Sequence, residues 1–359
     1  MIKLVLLVLL GVKLLANTLP SKEILEKQIG QMIVLGFNEA KIDSNSAIVQ
    51  AIQRYDLGGV ILFDRFYDNK AKVKNIESPQ QLQALTSFLK TISPHLIISI
   101  DQEGGNVQRL KPSYGFLNTS SASAMALKSI EEAKTEYAKL ALMLKDNGIN
   151  TNFAPVVDLA LNENNTVIYQ LNRSYGSDVS KVVLYASLFL KALEEKGIVG
   201  VLKHFPGHGS SLNDSHKGFV DVTHTWSKKE LEPFIELIKQ QRVQMIMTAH
   251  IFNASLDEKY PATLSQATNT QLLRETLGYQ GVIISDDLQM KAISEHYSLK
   301  ETVTLAINSG VDMLLFGNQL GKQDIKELVD TIYEEVIKGN IAYERIVQSN
   351  QRIKALRKN

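Results

Sequence analysis

The 359-residue chain contains no cysteine. Disulfide staples, thiol nucleophiles and cysteine-ligated iron–sulfur clusters are thereby excluded, although the absence selects no compartment. A charge imbalance is missing as well: 39 Lys and Arg stand against 38 Asp and Glu, a formal net charge of +1. The chain therefore carries no electrostatic footprint for nucleic acid or an acidic membrane, and a neutral small molecule is the expected ligand. No break in composition marks a second domain, and no Gly-x-Gly-x-x-Gly loop follows the first apolar run, which argues against a dinucleotide fold. What is present is apolar material, 44% of the residues, enough for one large core.

Residues 1–3 are a short charged start, and residues 4–12 form an apolar run of the length of a signal-peptide core, too short to span a bilayer comfortably. Lys13 interrupts the pattern and Leu14-Leu15-Ala16 is a poor cleavage site, so retention as a membrane anchor and a different start codon both stay open. The expected organisation is a signal peptide or N-terminal anchor over residues 1–20 and one catalytic domain over 21–359. Export to the periplasm or the exterior follows, with the cytoplasm as the location if the leader is not read.

Apolar runs at residues 32–37, 60–63, 96–100, 152–157, 199–202, 245–248, 282–284 and 313–316 lack polar alternation, as parallel strands covered on both faces do. Stretches 22–30, 78–92, 131–147, 180–196, 228–241, 266–277, 299–308 and 325–338 carry apolar residues at three- and four-residue steps, which predicts helices. Gly148, Gly197, Gly278, Gly310 and Gly339 stand where five of these should be capped. Alternating strands and helices predict a (β/α)8 barrel of the TIM type, with a doubly wound open sheet as the alternative. A last basic helix, 343–358, is expected outside the barrel. In a barrel, chemistry gathers at the carboxyl ends of the strands. There the sequence puts Asp64, Asp101, Asp158, Lys203 with His204, His250, and Asp286 with Asp287, although Asp64 and Asp158 could equally be helix caps or loop ion pairs.

One stretch, Lys203-His204-Phe205-Pro206-Gly207-His208-Gly209-Ser210-Ser211-Leu212-Asn213-Asp214-Ser215-His216, concentrates reactive groups on a loop. Pro206, Gly207 and Gly209 disfavour helix and strand alike, so the backbone turns while the ionisable side chains are presented together. His204 and His208 have the spacing of a helical zinc pair, but Pro206 and Gly207 break that helix and no Cys or Glu completes a ligand set. No metal or organic cofactor is expected. Asp214, two residues before His216, can hold the imidazole in one tautomer and support its protonated form. His208 could equally do no more than bond backbone carbonyls.

Asp101-Gln102-Glu103-Gly104-Gly105 with Arg109 combines a carboxylate, able to accept two sugar hydroxyls, with the fixed donors of a guanidinium. Asn172-Arg173-Ser174-Tyr175-Gly176 reads by itself as a surface turn. In Ser285-Asp286-Asp287-Leu288-Gln289-Met290, neighbouring strand residues face opposite ways, so one carboxylate of the pair is expected in the cleft.

These four stretches, in order and spacing over residues 31–316, resemble the family 3 glycoside hydrolases that act as β-N-acetylglucosaminidases. The resemblance implies that Asp286 is the nucleophile with Asp287 holding its loop, and that Asp214 and His216 are the general acid/base dyad. It also implies that Asp101, Arg109, Arg173, Lys203 and His204 bind the terminal sugar. Ser210 departs from the acidic residue usual after Gly-His-Gly, which bears on how the loop is anchored and leaves the dyad spacing intact. The implied activity is that of a retaining exo-β-N-acetylhexosaminidase. It would release N-acetylglucosamine from a small carbohydrate or muropeptide through a glycosyl-aspartate intermediate. The alternatives are a β-N-acetylglucosaminide or β-glucoside phosphorylase, since a histidine acid does not repel phosphate, and a catalytically inactive sugar-binding protein.

Overall fold

The computed structural model describes residues 19–357. The leader expected over residues 1–20 thus lies almost wholly outside the described residues. Among those residues, no helix is long and apolar enough to cross a membrane. Eight strands run parallel: β1 (Ile33–Gly36), β2 (Gly59–Leu62), β3 (Ile97–Ile100), β4 (Thr151–Asn152), β5 (Val199–Phe205), β6 (Met245–Thr248), β7 (Val282–Asp287) and β8 (Met313–Phe316). They pair in chain order and β8 returns to β1, which closes the barrel and rules out the open sheet. The unbroken apolar runs have this cause: one face of each strand fills the barrel and the other meets the helices, so Ile33, Val34, Val60, Leu62, Ile98, Ile283 and Leu314 are fully buried.

The helices follow their apolar periodicity, and their ends follow local chemistry. Side chains of Ser78, Ser129, Asp178, Ser298 and Asp324 each accept from a first-turn amide of the helix they precede. Gly310 ends Leu299–Ser309 at φ 111°, and the other four expected glycine caps also have positive φ.

Several elements differ from the sequence expectation. The helix Ala47–Tyr55, between β1 and β2, was not foreseen; it buries Ile48, Val49, Ala51, Ile52 and Tyr55. Strand β4 has two residues instead of six because Pro155 has no amide to donate, although a bridge from Val156 to Lys203 keeps the chain beside β5. β5 reaches Phe205, so Lys203 and His204 sit on rigid strand instead of on the loop, and β7 likewise extends to Asp287. The expected helix 228–241 splits into a tight turn, Lys228–Leu231, and a helix, Glu232–Lys239, with Pro233 in its first turn. Ala267–Thr276 is wound more widely, as a π-helix.

The last helix, Tyr343–Leu356, lies across the amino ends of the strands. Arg345 and Arg352 reach the buried carboxylate of Asp312, just ahead of β8, at 3.4 and 3.1 Å. Arg357 donates to the Gly58 carbonyl, just ahead of β2, at 3.0 Å. This helix covers the amino end of the barrel; the carboxyl end stays open.

Candidate active site

At that open end a continuous polar network links β3, β4, β5 and the loops beyond them. Lys203, 2% exposed, donates to Asp101 Oδ1 at 2.9 Å and makes an ion pair with Glu103 Oε1 at 2.7 Å. Arg109 Nη2 donates to the other oxygen of Asp101 at 3.2 Å. Arg173 grips Glu103 with two bonds of 2.8 Å and approaches His204 Nε2 at 3.3 Å. His204 Nδ1 lies 2.7 Å from Asp158 Oδ2; the carboxylate can only accept, so Nδ1 carries the proton and Nε2 takes the guanidinium hydrogen. Burial alone would raise the carboxyl groups of Asp101 and Glu103. The cations override it, Lys203 and Arg109 around Asp101, Arg173 and Lys203 around Glu103, and both groups titrate below the usual range. The result is a preorganised set of ionised acceptors and donors, suited to several hydroxyls at once.

The two imidazoles with zinc-like spacing are used otherwise. His204 belongs to the network above, and His208 Nδ1 lies 2.7 Å from Ser211 Oγ. Burial, followed by the nearby His204, pushes His208 down to about 4.

Asp214 and His216 meet as their spacing implies. One carboxylate oxygen, Asp214 Oδ1, accepts both the His216 amide at 2.9 Å and its Nδ1–H at 2.8 Å, which leaves Nε2 facing outward from a side chain 41% exposed. Burial works against the imidazolium, but the Asp214 hydrogen bond and the charge of Asp286 prevail and raise the pKa of His216 above its ordinary 6.5.

Asp286 is offset by burial in one direction and by His250, His204 and His216 in the other, and the imidazoles win: its carboxyl titrates below 3.8. Asp287 behaves oppositely. Burial, and then the charge of Asp286, push it to about 6 even though it accepts from the amides of Gln289 (3.1 Å) and Gly317 (3.2 Å). Asp286 and Asp287 both line the larger cavity, of about 470 Å³, a correction to the expectation that only one would; Asp286 alone also lines the adjoining cavity of about 270 Å³. Asp101, Arg109 and His216 border both cavities, so the two are one cleft, and Arg173, Lys203, His204 and Asp214 border the smaller part. The cleft therefore brings together the eight residues to which the family resemblance gave a part in catalysis or sugar binding, whereas Asp158 and His250, also placed at the strand ends, border neither part.

The roles of other residues emerge only in three dimensions. Glu103 stood inside a quoted motif without a role and proves to be the partner of both Arg173 and Lys203. Asp158 anchors His204 and also accepts the His208 amide at 2.8 Å. Asp64 is the loop ion pair its position allowed, with Lys111 at 2.6 Å. Lys74, fully buried, ties the loop after β2 to the carbonyls of Gly317 and Asn318, and burial lowers it to about 8. His250 donates through Nε2 to the Asp287 carbonyl at 3.0 Å and so braces the end of β7. Glu230 lies under the β5 loop, where Oε2 accepts the amides of Gly209 and Ser210 at 2.8 and 3.3 Å. A lone buried Lys or Glu far along the chain carries no sequence signal of this kind.

The Glycosyl hydrolase family 3 N terminal domain matches residues 24–356, the whole barrel. The chain belongs to this family. Among its relatives, Beta-hexosaminidase A of Pseudoalteromonas piscicida is 38% identical over 283 residues, which cover 74% of this chain and 46% of that protein. Beta-hexosaminidase of Haemophilus influenzae is 31% identical over 285 residues, 77% of this chain and 76% of that one. Among solved structures, a family 3 beta-N-acetylglucosaminidase from Paenibacillus superposes with a TM-score of 0.83 at 32% identity. That superposition covers 93% of this chain and 62% of the Paenibacillus chain, so this family 3 chain spans about half to two thirds of two of these relatives.

Proposed function

We propose that this family 3 protein is a retaining exo-β-N-acetylhexosaminidase that releases terminal N-acetylglucosamine, with peptidoglycan fragments as the substrate class. The observation that carries the reading is one cleft bordered by an ionised aspartate, Asp286, and an aspartate-held histidine, His216. The names of the relatives supply the sugar.

The chemistry follows from the protonation tendencies. Asp286, held as the anion by surrounding imidazoles, attacks the anomeric carbon as a nucleophile. His216, with its proton favoured by Asp214, gives it from the outward Nε2 to the departing oxygen, then takes one from water as the glycosyl-aspartate is hydrolysed. Conventional retaining enzymes use two carboxylates; here the second is replaced by an imidazole whose basicity a carboxylate supports. Asp101, Lys203, Arg109, Arg173 and His204 hold the terminal sugar by its hydroxyls and thereby orient the anomeric carbon.

The deciding experiment incubates the purified protein with muropeptides and identifies the released sugar by mass spectrometry. Free N-acetylglucosamine supports the reading. Sugar 1-phosphate formed in phosphate buffer would make the enzyme a phosphorylase, and no release from muropeptides or from a chromogenic N-acetylglucosaminide would leave a sugar-binding protein. The leader adds a proposal of export, tested by fractionation with N-terminal sequencing: a mature chain outside the cytoplasm supports it, and a cytosolic chain beginning at Met1 refutes it.

A further inference from the structure

We propose that Glu230 is a positioning residue for the Asp214–His216 dyad: its buried carboxyl, in the neutral form, is the seat on which the root of the β5 loop rests. Only the consequence for rate depends on the hydrolase reading above.

Glu230 lies in the turn Lys228–Leu231 and is 1% exposed. Besides the two amide bonds already described, a Cβ built on Gly207 would fall 2.5 Å from the Glu230 Cβ. The backbone of residues 207–210 therefore lies directly on this side chain. Two polar atoms at the contact, Glu230 Oε1 and Ser210 Oγ, are buried without a partner. A carboxylate there would be a charge at 1% exposure, met only by neutral donors, the two amides and the Ser210 hydroxyl, at a cost that buried groups rarely bear. A carboxylic acid carries no charge, and its Oε2 still accepts both amides.

Among the described residues, no cation facing the group offsets a charge there. Asp158, from the segment after β4, has the same sign and opposes ionisation, and His208 of the loop itself is held neutral. Lys228 and Lys229, on Glu230's own turn, point to solvent. Burial first, then Asp158, raise the carboxyl to about 7 against the opposing pull of the Ser210 hydroxyl and the two amides. When the loop root lifts, water reaches the carboxyl and its pKa falls toward the ordinary 4.5. The seated loop thus binds the proton more tightly than the lifted one, and seating weakens as pH rises from about 4.5 through about 7. Ser210 stands where the family resemblance leads one to expect an acid; a second carboxyl there would face Glu230 directly.

The test is backbone hydrogen exchange of the whole protein, read on peptides covering residues 207–216 and corrected for the intrinsic pH dependence. Between about pH 6 and about pH 8.5 the wild type is expected to lose roughly tenfold in protection, the factor linkage gives for a group moving between these two pKa values. Glu230→Gln keeps an acceptor for the amides but cannot ionise, so its protection should hold at both pH values. Its alkaline limb of kcat/KM, on a substrate with a poor leaving group, should move up to the limb set by His216 alone. Equal pH dependence of exchange in wild type and Glu230→Gln overturns the proposal. If the glutamine variant does not fold, Ser210→Ala decides: losing the hydroxyl that favours the carboxylate must shift the exchange transition to higher pH, and an unmoved or lowered transition overturns it. Exchange needs no substrate, so a seat without hydrolysis refutes the hydrolase reading alone, and hydrolysis with flat exchange refutes the seat alone.

Discussion

Asp286 and Asp287 are neighbours with opposite protonation tendencies, and in the proposed mechanism this difference separates their roles. Imidazoles surround Asp286, whereas Asp287 accepts two backbone amides and is pushed to about 6. Asp286→Asn should remove nearly all turnover with the fold intact by circular dichroism; a loss under about tenfold, or about 1.4 kcal/mol of barrier, would contradict a nucleophilic role. Asp287→Asn should instead lower the melting temperature, at a cost of about 1–3 kcal/mol, through impaired bonds to Gln289 and Gly317. For His216 the leaving group is the diagnostic. General acid catalysis supplies about 10²–10⁴-fold where the departing oxygen needs a proton, so His216→Ala should cut disaccharide hydrolysis severely. It should spare the bond-breaking step on an activated aryl glycoside, with a burst as the intermediate accumulates. Asp214→Ala should show the same pattern more weakly. The pH profile follows in sign: activity falls on the acid side only below the ordinary 3.8 of a carboxyl, because Asp286 is lowered. On the alkaline side it falls above 6.5, because His216 is raised.

At the scale of elements, the β5 strand and its loop are held at the root by two acids from elsewhere in the chain, Asp158 and Glu230. Asp158 accepts from the ring and the backbone of His204 and from the amide of His208. Asp158→Ala strands these donors and should cost about 3–5 kcal/mol in a denaturant titration, with KM rising more than kcat falls if His204 holds the sugar as proposed. The close fit of the loop sets a second constraint, for a Cβ on Gly209 would stand 1.8 Å from the Leu159 carbonyl oxygen. Gly209→Ala should accordingly displace the dyad and reduce activity on substrates with poor leaving groups more than on activated ones.

For the whole molecule, the candidate site and the buried cluster around Asp312 occupy opposite ends of the barrel. Asp312 is fully buried at the amino end among Arg274, Arg345 and Arg352, which come from two different helices. Asp312→Ala leaves three guanidinium groups facing one another and should cost about 3–5 kcal/mol, while kcat of the molecules that remain folded stays unchanged. Acid sensitivity belongs to the other end. Asp101, Glu103 and Asp158 all titrate below their ordinary 3.8 or 4.5, so the stability they contribute is present above those values and is lost as pH falls through their lowered ones. A melting curve that is flat in this acid range would argue against the paired network.

The order of strands, the closed barrel and five helix ends were legible in the sequence because they are local: an apolar run buried on both faces, a glycine after a helix. The polar cluster at the rim was legible in the same way, since Asp101, Lys203 and Asp286 each stand at the carboxyl end of an apolar run and the Asp214–His216 spacing is its own geometry. What depends on residues distant in the chain was not. Pro155 cut β4 short, and Glu103 found its role only when Arg173 arrived 70 residues later. Asp158 became an anchor because β4 and β5 are adjacent, and Glu230 because a turn beyond the loop folds back beneath it. Composition and periodicity determined which side chains could be buried and which strand ends would carry charge. Tertiary packing alone decided which charges meet, and a buried charge is stable only where that meeting occurs.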